Sequence, residues 1–406
     1  MSKSLKINEI NFFDVEDMSI QDDKFKSPKD ISDPSEKKKK IEQTNKSRKN
    51  LFDSFQRQEN CIFLTWSWIS IESWCPSMYS LWKYFTEDFT KKDEFNDLKD
   101  NTIKYKGQNI EEFLSFYHIH IQDLLHKWED VDKQEEFKNE LITEIKNQCR
   151  HSFDIEKSEH AYFLQNLFQI RQQQDKPRLK IFTLNYDTLI EEAAGQNGYI
   201  IIDGFSFGAT REFNAINFDL DIVERRNNRL EEKSYFRKVF HLYKLHWSLD
   251  WDKEWNNYFK CLNKEWSWEI IYPWNSKFEQ SYNMPYFEML TRFQSELRKE
   301  STVLNIIGYW FGDIHINRMI MEALKNNTSF TINIFWKKTL WERSENWEEM
   351  VINNTQIEQM GWYINSKRVN LFNMYFWWLV NLMENDWYVL TQEEKLVKAI
   401  LEYKES

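Results

Sequence analysis

Short runs rich in apolar residues recur along this chain, and they constrain its fold more than any other feature. The runs occupy residues 61–65, 180–184, 199–202, 239–245, 303–307 and 331–335. Several of them are continuous rather than alternating, which is typical of strands that are covered on both faces. Segments with helical spacing lie between several of the runs, as expected when helices pack on both sides of a parallel sheet. The sequence therefore predicts an α/β fold, with a Rossmann-like parallel sheet flanked by helices.

Composition divides the chain into three parts. Residues 1–48 are charged and poor in apolar side chains, which predicts a disordered arm. Residues 49–335 carry the apolar runs and form the predicted main domain. Within it, residues 86–175 are rich in Glu, Lys, Gln, Leu and Phe at helical spacing, which predicts a helical insertion. Residues 336–406 are predicted to be a mostly helical extension packed on the same domain.

Several classes of protein are disfavoured by the sequence. No apolar stretch of about 20 residues occurs, so no membrane span is expected. A net charge of −11 argues against nucleic-acid binding by the whole surface. The four cysteines (Cys61, Cys75, Cys149 and Cys261) lack Cys-x-x-Cys spacing, so we predict no metal site. Free thiols and the lack of an apolar signal core indicate a cytoplasmic protein.

Polar segments follow four of the predicted strands, at the ends where open parallel sheets bind ligands. They occupy residues 65–70, 183–188, 244–250 and 308–313. Asn185 offers both a hydrogen-bond donor and an acceptor. His246 directly follows an apolar strand, whereas His241 lies inside that strand and is interpreted as structural. Asp187 and Asp313 can line a ligand site or cap the helices that follow them.

Tryptophan stands in these segments where a tight turn favours glycine. Segment 65–70 reads Thr-Trp-Ser-Trp-Ile-Ser. A loop that cradles a phosphate needs residues without side chains. With glycine at Trp66 and Trp68, the segment becomes Thr-Gly-Ser-Gly-Ile-Ser, which is typical of a nucleotide loop. The other tryptophans in question are Trp74, Trp247, Trp274 and Trp310.

The composition supports a hypothesis about the genetic code of the source. The chain has 8 glycines and 19 tryptophans. Together they reach about the usual glycine share of proteins, roughly 7 per cent. We therefore hypothesise that UGA codons meaning glycine were translated as tryptophan. The alternative is a protein that is naturally rich in tryptophan. Trp82 and Trp251 fit their surroundings and are interpreted as natural under either hypothesis.

The four segments, in this order and spacing, resemble the sirtuin-like (silent information regulator-like) family. The resemblance is to its zinc-free branch, found in prokaryotic antiviral NAD-consuming proteins, and covers about 60–340. The family patterns are Gly-Ala-Gly-x-Ser, Thr-x-Asn-Tyr-Asp, Lys-x-His-Gly-Ser and Gly-Tyr-Ser/Gly-x-x-Asp. They correspond here to residues 66–70, 183–187, 244–248 and 308–313. The tryptophans are the departures from these patterns.

The resemblance implies NAD as the substrate and assigns residues to it. Backbone N–H groups of the first loop would hold the pyrophosphate, Asn185 would contact the nicotinamide ribose and position water, and His246 would be the general base. The first loop contributes Trp66, Ser67, Trp68 and Ser70. The other expected NAD-lining residues are Asp187, Trp247, Ser248, Gly308, Tyr309, Trp310 and Asp313.

The chemistry of the substrate is compatible with these residue types. The nicotinamide–ribose bond breaks through an oxocarbenium-like state, as glycosidic bonds do. Histidine supplies a base near neutral pH. Because the paired cysteines of a zinc ribbon are lacking, the resemblance favours hydrolysis of NAD to nicotinamide and ADP-ribose over transfer to acetyl-lysine. It implies an effector of anti-phage abortive infection.

Two other functions stay open at this point. The domain can be a non-catalytic sensor that binds NAD or ADP-ribose, or a protein ADP-ribosyltransferase with an unknown acceptor. A toxic NAD hydrolase also has to be held inactive, so a regulatory partner protein or a homo-oligomer is expected. The residues do not distinguish NAD from NADP.

Overall fold

A parallel β-sheet forms the centre of the protein. The computed structural model describes residues 13–14, 20–21, 24–25, 55, 58–71, 75–149, 158–171, 177–224, 235–254, 257–260, 284–309, 311–336, 368–373, 376, 379–380 and 383. The strands within them are β1 (Phe13–Asp14), β2 (Ile20–Gln21), β3 (Lys24–Phe25), β4 (Asn60–Thr65), β5 (Leu179–Thr183), β6 (Ile200–Ile202), β7 (Arg211–Glu212), β8 (Val239–Lys244), β9 (Trp251–Glu254), β10 (Asn257–Lys260), β11 (Thr302–Ile307), β12 (Thr331–Trp336) and β13 (Val369–Asn373). Eight of them form one sheet in the order β1-β13-β12-β11-β4-β5-β8-β6, with every pairing parallel.

Helices pack on this sheet. Within the described residues they are α1 (Trp68–Ile71), α2 (Met78–Glu87), α3 (Lys92–Asp97), α4 (Ile110–His126), α5 (Asp132–Gln148), α6 (Glu159–Ile170), α7 (Leu189–Gln196), α8 (Tyr286–Arg298) and α9 (Ile314–Asn326). A π-helical turn covers Leu98–Ile103, and a 3-10 helix covers Ala215–Asp219. The predicted α/β class, a Rossmann-like parallel sheet flanked by helices, is confirmed.

Both faces of the sheet are buried, which explains the continuous apolar runs. All six residues of β4 are buried. Ile62 and Leu64 belong to one hydrophobic cluster, whereas Cys61 and Phe63 belong to another. Successive side chains of a strand point to opposite faces, so the sheet separates these two clusters. The first cluster includes side chains of α2–α5, α8 and α9, and the second includes side chains of α6 and α7.

Helices α2–α6 lie between β4 and β5 in sequence, where the helical insertion over 86–175 is predicted. Trp82 in α2 is buried in this insertion. Its ring lies 5.3 to 6.0 Å, between centroids, from the rings of Phe95, Tyr105 and Phe113. A tryptophan surrounded in this way fills core volume that glycine would leave empty. The domain boundaries themselves stay a prediction.

Some strands lie where the sequence pattern marks none. β13 falls within residues 336–406, which were expected to be mostly helical, and it pairs with β12. β1 falls within the arm at 1–48 and pairs with β13. β7, β10 and β9 form a separate antiparallel sheet. These strands are short and contain polar residues, so no continuous apolar run marks them in the sequence.

His241 has a structural environment inside β8. The side chain is buried, and its Nδ1 lies 3.1 Å from the Tyr243 hydroxyl. Burial, together with the nearby Lys180 ammonium, lowers the pKa of His241 to about 4. The imidazole is therefore neutral at physiological pH, in keeping with the interpretation of His241 as a structural residue.

Candidate active site

The four polar segments leave the sheet at one level. Thr65, at the end of β4, pairs with Ile307 of β11 on one side and with Thr183 of β5 on the other. Thr183 in turn pairs with Lys244 of β8. Because all four strands are parallel neighbours, segments 65–70, 183–188, 244–250 and 308–313 begin side by side. This is the carboxyl edge, where open α/β sheets bind ligands.

Asn185 is fixed by a chain of buried hydrogen bonds. Its Nδ2 donates to Ser70 Oγ at 2.7 Å, and Ser70 Oγ donates to Asp187 Oδ2 at 2.6 Å. Since the Ser70 proton goes to Asp187, the amide group facing Ser70 must be the NH₂. This leaves Asn185 Oδ1 buried, with no hydrogen-bond partner among the described residues. A buried acceptor without a partner favours binding of a hydroxyl or a water at this point.

Asp187 holds this arrangement at the start of α7. Its Oδ1 accepts a hydrogen bond from the Leu189 backbone N–H at 3.1 Å, while its Oδ2 accepts from Ser70. Thr188, not Asp187, is the N-cap of α7. The Asp187 carboxylate bonds the first N–H of the helix from one position earlier and orients Ser70 toward Asn185. Asp187 is buried.

His246 meets Asp313 across the site. Its Nε2 lies 3.2 Å from Asp313 Oδ2, and the two side chains are 23% and 9% exposed. The other carboxylate oxygen, Oδ1, accepts from the backbone N–H groups of His315 and Ile316 at the start of α9. Asp313 thus caps the helix and faces the imidazole at once. When Nε2 donates to Asp313, the lone pair of the neutral ring is on Nδ1.

The loops that carry Asn185 and His246 are joined to each other. The Leu249 backbone N–H donates to the Tyr186 carbonyl at 2.9 Å. The Trp247 indole stacks on the Tyr186 ring, with 4.9 Å between centroids and 4° between planes. Asn185 and His246 therefore lie on adjacent, bonded loops.

The first loop makes a tight turn into α1. The Ile69 N–H donates to the Trp66 carbonyl at 3.1 Å, and the Ser70 N–H donates to the Ser67 carbonyl at 3.0 Å. The Trp66 ring lies 5.1 Å from the Tyr309 ring, between centroids. An indole at this position occupies space beside the loop backbone that a pyrophosphate would need.

Hydrogen bonds of buried side chains hold segment 308–313 in place. Gly308 has a φ of +70°, a conformation that glycine adopts readily. The Tyr309 hydroxyl donates to Asn317 Oδ1 at 2.7 Å, and Asn317 Nδ2 donates to the Phe311 carbonyl at 2.6 Å. Burial raises the pKa of Tyr309, so the hydroxyl stays protonated. Tyr309, one of the expected NAD-lining residues, is buried, and its hydroxyl contacts the Asp313 backbone. The expected site residue Trp310, like Trp74 and Trp274, lies outside the described residues.

Residues 179–353 match the family model of the SIR2-like domain. The match runs from β5 past β12, and we call this stretch the SIR2-like segment. It contains Asn185, His246 and Asp313, but not segment 65–70. It supports the sirtuin-like resemblance seen in the sequence.

Comparisons of the whole chain add little to this match. A structure described as the crystal structure of a Sir2 homolog–NAD complex is similar at 12% identity and a TM-score of 0.35. The similarity covers 82% of this chain and 91% of that one, and a TM-score this low supports no conclusion about function. No curated protein matches the chain.

The SIR2-like segment also contains a group of buried and partly buried charges that sequence reasoning did not assign to the site. The members are Lys244, Glu191, Lys260, Asp203, Asp250 and Arg211. Burial raises the pKa of Glu191 despite the two lysines beside it. For Asp250, Lys260 and Lys244 outweigh the effect of burial and lower the pKa. The available signal was Lys244 itself, a charged residue at the end of an apolar strand.

Two further findings concern what the described part of the chain contains. None of its helices has both the length and the apolar character needed to cross a membrane. Among the same residues, no group of three or more His, Cys, Asp or Glu side chains is arranged to hold a metal ion. Cys61, Cys75 and Cys149 are buried and form no disulfide among the described residues, and Cys261 lies outside those residues.

Proposed function

We propose that this protein is an NAD glycohydrolase, which cleaves NAD to nicotinamide and ADP-ribose. One observation carries the proposal. Asn185, with a buried amide oxygen that has no described partner, lies on the loop bonded to that of His246, whose ring faces Asp313. This set offers one group to orient a nucleophile and a second group to take its proton.

The reaction balances with these side chains. The nicotinamide–ribose bond breaks, its electron pair passes to the pyridine nitrogen, and nicotinamide leaves as a neutral molecule. Water attacks the sugar carbon, which has oxocarbenium character. His246 accepts the proton that the water loses, and Asp313 holds the imidazole and stabilises its charged form. Asn185 Oδ1 accepts a hydrogen bond from the ribose hydroxyl or the attacking water.

The biological role follows from the branch that the sequence resembles. We propose a cytoplasmic effector of anti-phage defence, which removes NAD once infection is sensed. Such an activity has to be silent beforehand, so the proposal includes a regulatory partner protein or a homo-oligomer. A non-catalytic NAD or ADP-ribose sensor, and a protein ADP-ribosyltransferase, are the alternatives that the experiment below separates.

We also propose that several tryptophans of the written sequence are glycine in the natural protein. Support comes from Trp128, a position that the sequence analysis did not single out. Its φ is +59°, and its side chain is 96% exposed. It ends α4: the Glu129 N–H donates to the Leu124 carbonyl, and the Trp128 N–H donates to the Leu125 carbonyl. This pattern of bonds is the Schellman motif, which favours glycine at the position of Trp128.

Trp128→Gly should stabilise the protein. A residue with a side chain in this left-handed conformation costs about 1 kcal/mol relative to glycine, and the exposed indole loses little packing when removed. We expect the free energy of unfolding to rise by about 1 kcal/mol in urea titrations. The matched control is Trp82→Gly, which empties a buried site and should lose about 3 to 5 kcal/mol. Equal destabilisation by both changes would count against glycine at 128.

The proposed function is tested by analysing the products of the glycine-restored protein. The protein with glycine at positions 66, 68, 74, 128, 247, 274 and 310 is incubated with NAD, and the mixture is separated by chromatography. Nicotinamide together with free ADP-ribose supports hydrolysis. Bound NAD without nicotinamide supports the sensor, and nicotinamide with ADP-ribose attached to protein supports the transferase. Sequencing the source DNA at the same codons shows whether the restoration is natural: UGG at 66, 68, 247 and 310 would end the hypothesis.

A further inference from the structure

Lys244 lies between the two loops of the candidate active site. It is the last residue of β8, and its side chain is 3% exposed. Its Nζ donates to the Asp187 backbone carbonyl and lies 3.1 Å from Glu191 Oε1. A buried ammonium needs partners of this kind, because desolvation without them is costly.

The position of Lys244 in the chain connects both proposed reacting groups. It precedes His246 by two residues on one loop. Its acceptor, the Asp187 carbonyl, follows Asn185 by two residues on the other loop. The Asp187 carboxylate in turn orients Ser70, which accepts the Asn185 NH₂. The Lys244 ammonium is therefore hydrogen-bonded to the turn that positions the Asn185 carboxamide. Lys244 also belongs to β8, the strand that leads to the His246 imidazole.

The same buried charges hold the second loop from its far side. Lys260 Nζ lies 3.2 Å from Asp250 Oδ2, 2.9 Å from Asp203 and 3.8 Å from Glu191. Asp250 also accepts a hydrogen bond from Ser248 Oγ at 2.5 Å. Glu191, at the start of α7, thus lies near both Lys244 and Lys260, the lysines that contact the Asn185 loop and the His246 loop. The Arg211 guanidinium, 2.9 Å from Asp203, balances the remaining charge.

We propose that Lys244 is a positioning residue, which holds the Asn185 carboxamide and the His246 imidazole at a fixed separation through the Asp187 carbonyl and Glu191. The inference rests on the proposed function and adds a residue to it. Lys244 does not touch the substrate. Its loss lets the turn at 185–187 move relative to the loop at 246–250, and misplacement of this kind lowers turnover more than substrate binding.

The test uses a pair of variants in the glycine-restored protein. Lys244→Met keeps the length of the side chain but leaves Glu191 with Lys260 alone, so the variant is expected to lose stability. The double variant Lys244→Met/Glu191→Gln removes the uncompensated carboxylate, and its melting temperature should return toward that of the parent. Its kcat should stay about 30-fold or more below the parent, with KM changed less than about threefold, because the Asp187 carbonyl still lacks its donor.

A matched control is available in the neighbouring strand. Lys180 of β5 is 12% exposed and pairs with Glu296 at 3.3 Å, toward the amino end of the sheet. Lys180→Met removes a buried lysine of the same kind, so it should lower stability while kcat stays within about twofold of the parent. Recovery of full kcat in the double variant, or an equal loss of kcat in Lys180→Met, would overturn the proposal.

Hydrogen–deuterium exchange separates this inference from the proposed function. If the parent protein releases no nicotinamide, the proposed function fails, but Lys244 can still be assessed. Backbone amides of residues 184–190 and 245–250 should then exchange about tenfold faster in the double variant than in the parent. The exchange rates of the same amides should be unchanged in Lys180→Met. Equal exchange in the parent and the double variant would show that Lys244 holds neither loop.

Discussion

Asn185→Ala and His246→Ala should each lower the turnover of NAD by about a thousandfold in the glycine-restored protein. The first change removes the buried amide oxygen that is proposed to orient the nucleophile. The second removes the base that takes its proton. The turnover of both variants is measured as the nicotinamide released over hours, which is followed by chromatography. Affinity for NAD should change far less than turnover, because neither group is expected to supply most of the binding energy.

Three further variants make this prediction specific. Asn101→Ala and His126→Ala change exposed residues of the helical insertion and should leave turnover unchanged. Asp313→Asn preserves the cap of α9 but removes the charge beside the imidazole, so an intermediate loss of about tenfold is expected. Undiminished NAD consumption in both Asn185→Ala and His246→Ala would remove the assigned roles.

The chain as written should bind NAD at least about a hundredfold more weakly than the chain with glycine at positions 66, 68 and 247, a difference of about 2.7 kcal/mol. The Trp66 indole lies 5.1 Å from the Tyr309 ring, where the loop backbone must approach a pyrophosphate. The Trp247 indole is stacked on Tyr186 between the two reacting loops. Glycine at position 66 removes the first of these indoles from beside the loop backbone. Isothermal titration calorimetry with NAD measures the change directly.

The control for this comparison is Trp251→Gly. Trp251 is buried, and its ring lies 5.4 Å from Phe205 and 5.6 Å from Tyr286, between centroids. Removing it should destabilise the fold without improving affinity for NAD. If the written chain binds NAD as tightly as the restored chain, the tryptophans are compatible with the site and the argument for glycine there is lost.

The sheet could be predicted because its strands are covered on both faces. Runs such as 303–307 have no polar face, and only a strand between two layers needs such a run. β13 could not be found in the same way, since Val-Asn-Leu-Phe-Asn is short and is interrupted by two asparagines. Its place is fixed by pairing with β12, a tertiary contact that local sequence does not encode.

The sequence indicates which residue types the candidate site contains, but it does not show which of them are hydrogen-bonded or paired with each other. Asn185 and His246 follow strands, and this alone singled them out. The hydrogen bond from Ser70 to Asp187 joins residues 117 positions apart, so no local pattern contains it. Lys244 gave a signal as a charged residue at the end of an apolar strand, whereas Glu191 looks like a surface residue when read alone. The ion pair between them becomes visible only when β8 and α7 are packed together.

The double use of Asp313 bears on how the proposed NAD hydrolase can be kept inactive. Its carboxylate begins α9 with one oxygen and touches the imidazole with the other. The imidazole contact is 3.2 Å long, so sliding this helix by about half an ångström would stretch it beyond hydrogen-bonding range. An inactive state would then require neither unfolding nor a blocked entrance to the site. A partner that docks on α9 and shifts it slightly as a rigid body would be enough to separate Asp313 from the His246 imidazole.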